Sequence, residues 1–271
     1  MNKKLFSAII FISLIACNSD KKQANAYLEN AQRLYEHGEY ALAKSNLDSI
    51  KALFPKEFAV QKQGLQLRRT IEVKENEQNL ILCDSLLKIR LIEAETMKTG
   101  FLFEKDPEYD DTGKYMDKSQ KIEAKLQSSC IRIYVNESGE LFFSSVYHGN
   151  RPIQHSKLKV SLTNGDYAET LQIPHDGGLN YSFVDDGRTT EIVTYTSGKD
   201  NGVINFIYGN KESVLKAELL GKEKYTFTIS ATDKEVLVKT VDFAVVLADI
   251  DKLKKEIEKS TQRLRYLEGK V

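Results

Sequence analysis

Four stretches of the chain differ in their pattern of hydrophobic and polar residues. Residues 5–15 are mostly apolar, and residues 56–99 place apolar side chains at helical spacing with no proline and with Gly64 as the single internal glycine. Residues 100–231 alternate between runs rich in β-branched and aromatic residues and turns rich in Gly, Asn and Asp. Residues 232–268 then return to helical spacing. Helical segments that flank a β-rich segment are typical of an α+β fold.

Two long helices are predicted, over about residues 57–99 and 233–268. The first is polar in Arg68–Asn76 and apolar in Leu80–Ile92, and the second has an apolar first half and a polar second half. Because like halves meet when two such helices lie antiparallel, we predict that they pair within the chain. The alternative is self-association through the heptads of the last helix, which place apolar residues and Ser260 at a and d positions.

Finer details of this helix pair are also predicted. Thr232-Asp233-Lys234-Glu235 has the spacing of a capping box and would start the last helix. One antiparallel register places Ile71 opposite Ile257 and Leu86 opposite Asp242. We expect the pair to hold an inserted, antiparallel β-rich head formed by residues 100–231.

Within the head, short strands and turns alternate. The predicted strands are Cys130–Val135, Leu141–His148, Lys157–Leu162, Tyr181–Val184, Thr190–Thr196, Val203–Tyr208 and Tyr225–Ser230. The predicted turns place Asn, Asp or Ser next to Gly, which favours tight reversals. They are Asn136–Gly139, Asn164–Asp166, Asp176–Gly178, Asp185–Gly187 and Gly209-Asn210. Asp117–Gln127 and Lys211–Leu220 are ambiguous and could form short helices.

The first residues resemble a bacterial lipoprotein signal peptide. Two lysines precede the apolar run, which is too short for a permanent membrane helix, and Leu14-Ile15-Ala16-Cys17 matches a lipobox. The resemblance implies cleavage of residues 1–16, lipid on Cys17 and a tether over residues 17–22. Because this tether holds one acid and two lysines, unlike an acid-rich export signal, we expect the periplasmic face of the outer membrane.

The segment after the tether resembles a single tetratricopeptide repeat, a helical hairpin. The family's positions are matched by Tyr27, Ala31, Leu34, Gly38, Tyr40, Ala43, Leu47, Ile50 and Pro55. Gly38 would end the first helix, Ala43 would permit close approach of the second, and Pro55 would start the next one. A single repeat cannot form a self-standing solenoid. We therefore group residues 23–99 as one helical domain and residues 232–271 as the helix that packs on it.

Composition narrows the possible functions. The chain has 39 basic and 39 acidic residues, and loss of two lysines with the signal peptide leaves 37 against 39, a net charge of −2. This balance gives no electrostatic case for nucleic-acid binding. Apart from Cys17 the chain has two cysteines, Cys83 and Cys130, which could form a disulfide outside the cytosol. The alternative is that Cys83, within an apolar helical stretch, is a buried thiol.

Few residues suggest catalysis. His148, His155 and His175, with Asp176 and Asp185, are the candidate metal ligands, but no two histidines have the spacing of a helical or strand metal pair. We interpret them as polar turn residues. The sequence has no nucleophile elbow, no P-loop and no catalytic-cysteine signature. It therefore predicts a non-enzymatic protein with no cofactor and no metal.

The mature chain also resembles, over its whole length, a family of lipoproteins from Bacteroides-type bacteria without an established activity. Besides the hairpin and the closing coil, the matching segments are Phe103–Asp106, Ser145–Pro152 and Ile173–Gly178. We expect a lipid-anchored envelope protein that mediates protein–protein interaction or assembly through the hairpin and the head, with another envelope protein as partner. The alternative is a lipoprotein that binds a ligand or glycan in a pocket of the head.

Overall fold

The computed structural model has the mixed α+β fold expected from the sequence. It describes residues 5–108, 111–120 and 127–269, with side chains from Ser19 onward, so the side chain of Cys17 and part of the predicted signal peptide lie outside the described residues. The described helices are α1 (Leu5–Glu36), α2 (Tyr40–Leu53), α3 (Phe58–Lys98), α4 (Val203–Gly209) and α5 (Ala231–Glu268). The described strands are β1 (Phe101–Glu104), β2 (Lys114–Asp117), β3 (Cys130–Asn136), β4 (Leu141–Gly149), β5 (Lys157–Ser161), β6 (Tyr167–Glu169), β7 (Asn180–Asp185), β8 (Arg188–Tyr195), β9 (Lys216–Leu220) and β10 (Lys224–Thr228).

The chain divides into two compact units. The helical unit comprises residues 1–85 and 254–271, and the sheet unit comprises residues 86–253. The two long helices predicted from the sequence are confirmed by α3 and α5, whose ends lie within two residues of the expected ones. A search of the described helices finds none with both the length and the apolar character needed to cross a membrane.

In the helical unit, α1 and α2 pack on each other and on the first part of α3. Gly38, at φ +78°, lies in the turn between α1 and α2, where its left-handed backbone favours glycine. Small side chains line the contact, because Ala31 and Ala43 are fully buried and allow the helices to approach closely. The buried cluster consists of Ala24, Ala31, Ala43, Leu47, Ile50, Phe54, Val60 and Ile71.

The end of α5 also lies against α3 within the helical unit. Arg263 forms an ion pair with Glu72, and the amide of Asn79 donates to the hydroxyl of Ser260 at 2.9 Å. The residue numbers rise along one helix and fall along the other, so the two segments run in opposite directions. The predicted register is wrong by several residues, because Arg263 rather than Ile257 lies beside the turn that holds Ile71. Polar pairs such as Asn79–Ser260 set this register, whereas the prediction matched apolar residues alone.

In the sheet unit, two antiparallel sheets enclose the main core. The order is β1-β2-β3-β4-β8-β7 in the six-stranded sheet and β10-β9-β5-β6 in the four-stranded sheet. Alternate residues of β3 are buried, as expected for a half-buried strand, whereas β4 and β8 are buried along most of their length. The core takes apolar side chains from both sheets, from α4 and from the start of α5.

A second apolar cluster packs α5 against the first strands of the six-stranded sheet. The rings of Phe101 and Phe243 lie 4.8 Å apart, and Phe243 is completely buried. The turn between β3 and β4 approaches the same helix closely. A Cβ atom on Gly139 would lie 2.6 Å from the carbonyl oxygen of Ala244, so only glycine fits at this point.

Six of the seven predicted strands are confirmed to within two residues, as β3, β4, β5, β7, β8 and β10. The seventh prediction is wrong, since residues 203–208 form α4. Its sequence is rich in β-branched residues, but Val203, Ile204 and Ile207 are buried together on one helical face, and packing overrides the local preference. The ambiguous segment 211–220 ends in the strand β9, and β1, β2 and β6 were not predicted.

The predicted start of α5 is also corrected. The helix begins at Ala231, and the hydroxyl of Ser230 accepts a hydrogen bond from the backbone N–H of Asp233 at 3.0 Å. Ser230 is therefore the N-cap, two residues before the predicted Thr232.

Candidate functional site

A groove with an apolar floor lies between α2 and α3 in the helical unit. Its volume is about 390 Å³. Leu47 and Ile50 form its floor with Gly64, whose missing side chain leaves the floor open; a Cβ there would lie 3.4 Å from Leu47. Phe58 and Leu65 line the groove while remaining 75% and 49% exposed. Such exposed apolar side chains around a concave surface are typical of a binding site.

The rim of this groove is positively charged. Lys51 and Lys62 are exposed, and the guanidinium of Arg68 forms an ion pair with Asp48. Arg68 also donates to the backbone carbonyl of Lys44 at 3.2 Å, which fixes the side chain beside the groove. Among the residues that line it, three cations surround one carboxylate, so the groove favours a ligand that is apolar and negatively charged.

The residues that matched the repeat pattern lie together around this groove and the core beneath it. Ala31, Ala43, Leu47 and Ile50 are buried, and Gly38 is in the turn after α1. The three remaining apolar positions, Tyr27, Leu34 and Tyr40, pack half-buried against the core. Pro55 is exposed between α2 and α3.

The two cysteines predicted as a possible bridge are separate thiols in the structure. Cys83 is buried in the helical unit, and its sulfur lies 3.6 Å from Oδ1 of Asn79 on the preceding turn of α3. Cys130 is half-buried at the start of β3 in the sheet unit. Each thiol therefore makes its contacts inside its own unit.

The three candidate histidines of the sheet unit do not converge. Nδ1 of His148 lies 3.0 Å from the hydroxyl of Thr190, and Nδ1 of His175 lies 3.1 Å from Oδ1 of Asn180. His155 is 1% exposed and bonds to other groups. In the described part of the chain, no group of three or more His, Cys, Asp or Glu residues is arranged to hold a metal ion. The interpretation of His155 as a polar turn residue is wrong, because His155 is buried and its ring is hydrogen-bonded to Glu191 and Ser145.

His155 belongs to a buried hydrogen-bonded cluster that joins the two sheets. It precedes β5, and its Nδ1 lies 2.8 Å from Oε2 of Glu191 on β8. Its Nε2 lies 3.1 Å from the hydroxyl of Ser145 on β4, which in turn lies 3.2 Å from the hydroxyl of Tyr195. Glu191 also accepts backbone N–H groups from Ile153, Gln154 and His155 at 2.7 to 2.9 Å.

Electrostatics in this cluster favour a charged glutamate and a neutral tyrosine. Burial acts to raise the pKa of Glu191, but hydrogen bonds from the side chain and backbone of His155 outweigh it and hold that pKa below its ordinary value. Burial raises the pKa of Tyr195 to about 12, although hydrogen bonds to Ser145 and Thr170 act in the other direction.

The order Ser145–His155–Glu191 matches the connectivity of a nucleophile, base and orienting acid. However, Ser145 is 0% exposed and Glu191 is 3% exposed, so a substrate cannot reach the hydroxyl in this structure. The cluster therefore acts as a structural link between the sheets. Sequence reasoning missed it because its residues are far apart in the chain. The available signal was a glutamate within the otherwise uncharged run Thr189–Tyr195.

The sheet unit also has a polar cavity of about 390 Å³ beside β3 and the start of α5. Hydroxyl, amide and guanidinium groups line it, among them Ser119, Gln120, Ser129, Arg132 and Thr232. The described residues that line this cavity include no aromatic side chain on which a sugar ring could stack. Residues 121–126, which follow Gln120, lie outside the described residues.

Known proteins add no further constraint on the choice between these sites. Comparison with protein-family models, with curated proteins and with solved structures found no match. The function is therefore inferred from the geometry and charge of the groove, the buried cluster and the polar cavity.

Proposed function

We propose that the chain is a non-enzymatic, lipid-anchored protein of the cell envelope that binds another protein through its helical unit. The observation that supports this most strongly is the groove between α2 and α3, where Phe58 and Leu65 stay exposed beside an apolar floor. Exposed aromatic and aliphatic side chains at a concave surface provide most of the binding energy in protein interfaces.

The partner is a protein segment that combines apolar side chains with carboxylates. The apolar floor at Leu47 and Ile50 would bury its apolar side chains, and Lys51, Lys62 and Arg68 would attract its carboxylates. A groove of this size accommodates a few side chains rather than a whole domain. The first two helices, as a hairpin of the tetratricopeptide type, would position the groove, and the β-rich head would be an insertion between the long helices.

The anchor in this proposal is lipid on Cys17. Leu14–Cys17 has the lipobox pattern, and the polar residues 18–22 separate it from Ala24, the first buried residue that the structure describes. Two or three acyl chains on one cysteine hold a protein to a membrane far more firmly than a single chain does. The groove would then lie close to the membrane surface, on the periplasmic face of the outer membrane.

Site-specific photo-crosslinking of the full chain in cells tests the proposal. A photoreactive phenylalanine analogue replaces Phe58 or Leu65, and the control position is Val214, which is 65% exposed in the sheet unit. We expect one covalent adduct of defined mass from the groove positions. Peptide mapping of that adduct should identify a segment with apolar and acidic residues.

Two results would contradict the proposal. The first is the absence of an adduct at both groove positions under conditions where the protein is correctly folded and located. The second is an adduct of equal yield at Val214, which would indicate non-specific collision. A partner segment without carboxylates would retain the binding role but refute the stated charge complementarity.

The polar cavity beside β3 favours a second candidate function, the binding of a small polar ligand. Its serine and threonine hydroxyls, with the guanidinium of Arg132 and the carboxylate of Asp233, suit hydroxylated compounds. Thermal shift measurements with a panel of mono- and oligosaccharides test it, with Ser129→Leu as the variant that fills the cavity. Stabilisation of the wild type but not of this variant, together with no groove adduct, would favour the second function.

A further inference from the structure

A polar groove lies between α3 and the end of α5, and all its lining residues belong to the helical unit. Side chains from residues 75–79 of α3 and 256–266 of α5 line it. Its volume is about 620 Å³, within the range of about 300–1,000 Å³ that is typical of ligand-binding clefts. It shares no lining residue with the groove between α2 and α3. It is called the α3–α5 groove below.

Contacts between the two helices fix the walls of the α3–α5 groove. The side-chain amide of Asn79 donates to the hydroxyl of Ser260 at 2.9 Å, and Ser260 is buried. The guanidinium of Arg263 forms an ion pair with Glu72 on the facing helix. Both contacts are made without a ligand, so the groove is preorganised and binding costs little rearrangement of the helices.

Every charged side chain in the described lining is paired with the opposite charge. The pairs are Glu75 with Lys44, at 2.8 Å, Glu256 with Lys259, at 3.7 Å, and Arg263 with Glu72. A charged ligand would compete with these pairs and gain little net attraction. The lining therefore favours a ligand that is polar but neutral.

Two amide side chains in the lining can accept hydrogen bonds from such a ligand. Nδ2 of Asn76 donates to the backbone carbonyl of Glu72 at 2.7 Å, and Nε2 of Gln262 donates to Oε1 of Glu258 at 3.0 Å. These bonds hold the nitrogen of each amide to its own helix. Among the described residues, no donor binds the side-chain carbonyl oxygen of Asn76 or Gln262, so both oxygens can accept from the O–H groups of a ligand.

The ring of Tyr266 adds an apolar surface to the same groove. Tyr266 is 57% exposed, and the guanidinium of Arg263 lies 5.3 Å from the centre of its ring, which helps to hold the ring in place. An aromatic ring beside hydrogen-bonding groups suits a ligand with one apolar face and several hydroxyls. A sugar ring has this form, because C–H bonds cover its face and hydroxyls surround its rim.

We infer that the α3–α5 groove binds a neutral saccharide, with a sugar ring packed on Tyr266 and hydroxyls hydrogen-bonded to Asn76 and Gln262. The volume of the groove accommodates a short oligosaccharide. This site goes beyond the proposed function, which rests on the groove between α2 and α3, and it is separate from the polar cavity of the sheet unit. A substitution in one of these three sites leaves the lining of the other two unchanged.

Saturation-transfer difference NMR tests the inference. The sample is residues 18–271, which retain every side chain that the structure describes. The probes are four neutral trisaccharides: maltotriose, xylotriose, mannotriose and triacetylchitotriose. We expect a saturable signal from at least one of them, with a Kd on the order of 1 mM, because an open groove forms only a few hydrogen bonds to its ligand.

Variants of the lining test where the sugar binds. Tyr266→Ala removes the ring and should raise the Kd about fivefold or more, whereas Tyr266→Phe retains the ring and should stay within about threefold of the wild type. Gln262→Leu removes an acceptor and should also raise the Kd. Tyr167→Ala is the matched control, since Tyr167 is 59% exposed in the sheet unit, and it should leave the Kd unchanged.

The dependence on salt tests the neutral character of the ligand. Because the charges of the lining are already paired, the Kd should change by less than about twofold between roughly 50 and 500 mM NaCl. A change of tenfold or more would show recognition of a charged group and would overturn the inference.

Three other results would also overturn it. The first is the absence of a signal from all four trisaccharides. The second is a Tyr266→Ala variant that binds as the wild type does, or a Tyr167→Ala variant that loses as much affinity. The third is loss of binding in Ser129→Leu but not in Tyr266→Ala, which would assign the sugar to the polar cavity of the sheet unit. Circular dichroism checks that each variant is folded, and Gln262 and Tyr266 are exposed, so folding should be retained.

Discussion

The carboxylate of Glu191 should be the most important single polar group for the stability of the sheet unit. We consider Glu191→Gln, which retains the shape of the side chain and removes its charge. In the wild type, Oε1 accepts the N–H groups of Ile153 and Gln154, and Oε2 accepts the N–H and the Nδ1 position of His155. A glutamine has one acceptor oxygen in place of two, and its NH₂ group would lie against the donors that the second carboxylate oxygen binds in the wild type.

The expected loss follows from these contacts. At least two hydrogen bonds to a charged acceptor disappear, each worth about 1.5–3 kcal/mol, at a position where Glu191 and His155 are 3% and 1% exposed. The free energy of unfolding of the sheet unit should therefore fall by about 3–6 kcal/mol. For a unit of this size about 1 kcal/mol corresponds to 2–4 °C, so the Tm should fall by roughly 10 °C.

Differential scanning calorimetry measures the loss, and hydrogen exchange assigns it to the sheet unit through the amides of β5 and β8. The chain contains no tryptophan, so intrinsic tryptophan fluorescence does not report this transition. Glu223→Gln is the matched control, because the side chain of Glu223 is 53% exposed and its substitution should change stability by less than about 0.5 kcal/mol. A Tm for Glu191→Gln within about 2 °C of the wild type would refute the structural role of the cluster.

Four further outcomes are expected. The pKa of Glu191 is lowered in the folded state. Its contribution to the free energy of unfolding is therefore complete above the unfolded pKa of roughly 4.3 and is lost as the pH falls through the folded pKa. Glu191→Gln should thus flatten the acid limb of a plot of stability against pH. Gly139→Ala should lower the free energy of unfolding, measured by calorimetry, by at least about 3 kcal/mol, because the new methyl would lie 2.6 Å from a backbone oxygen of α5. Gly165→Ala is the control: its methyl would lie in open space at φ +98°, and the loss should be only about 1–2 kcal/mol. Ser230→Ala should cost about 1 kcal/mol and speed hydrogen exchange at the start of α5; unchanged exchange would contradict the cap. Cys17→Ser should abolish acylation and cleavage, which intact-mass spectrometry detects, and a wild-type chain with an unmodified thiol would refute the anchor.

The long helices could be predicted because their periodicity extends over many turns. Apolar spacing and the absence of proline define residues 57–99 and 233–268, and α3 and α5 end within two residues of these limits. The spacing does not show which apolar residues remain exposed. Phe58 and Leu65 read as ordinary helix residues, and only the position of α2 reveals that they line a groove.

Short segments were less predictable, since their surroundings determine their structure. Residues 203–209 have the composition of a strand, yet three of them are buried on one helical face against the core. The strand β1 has a single buried residue and no clear alternation, so its pattern carries little information. In both segments tertiary packing decides what local preference leaves open.

The buried cluster in the sheet unit was not predictable from spacing. His155 and Glu191 are 36 residues apart, and they meet because β4 pairs with β8 while the loop before β5 crosses the same strand. The sequence shows only that Glu191 interrupts an uncharged strand. A charged residue in such a strand indicates a buried partner, and its identity depends on the register of the sheet.

The most direct test of the proposed function is the yield of the groove adduct when the charge of the rim is reversed. The photoreactive residue at position 58 is combined, in the full chain, with Lys51→Glu and Lys62→Glu. If the groove binds an acidic, apolar protein segment, the adduct formed by the wild-type rim should fall at least about tenfold in this variant, while Lys211→Glu in the sheet unit leaves it unchanged. An adduct of undiminished yield after reversal of the rim charges would contradict the account.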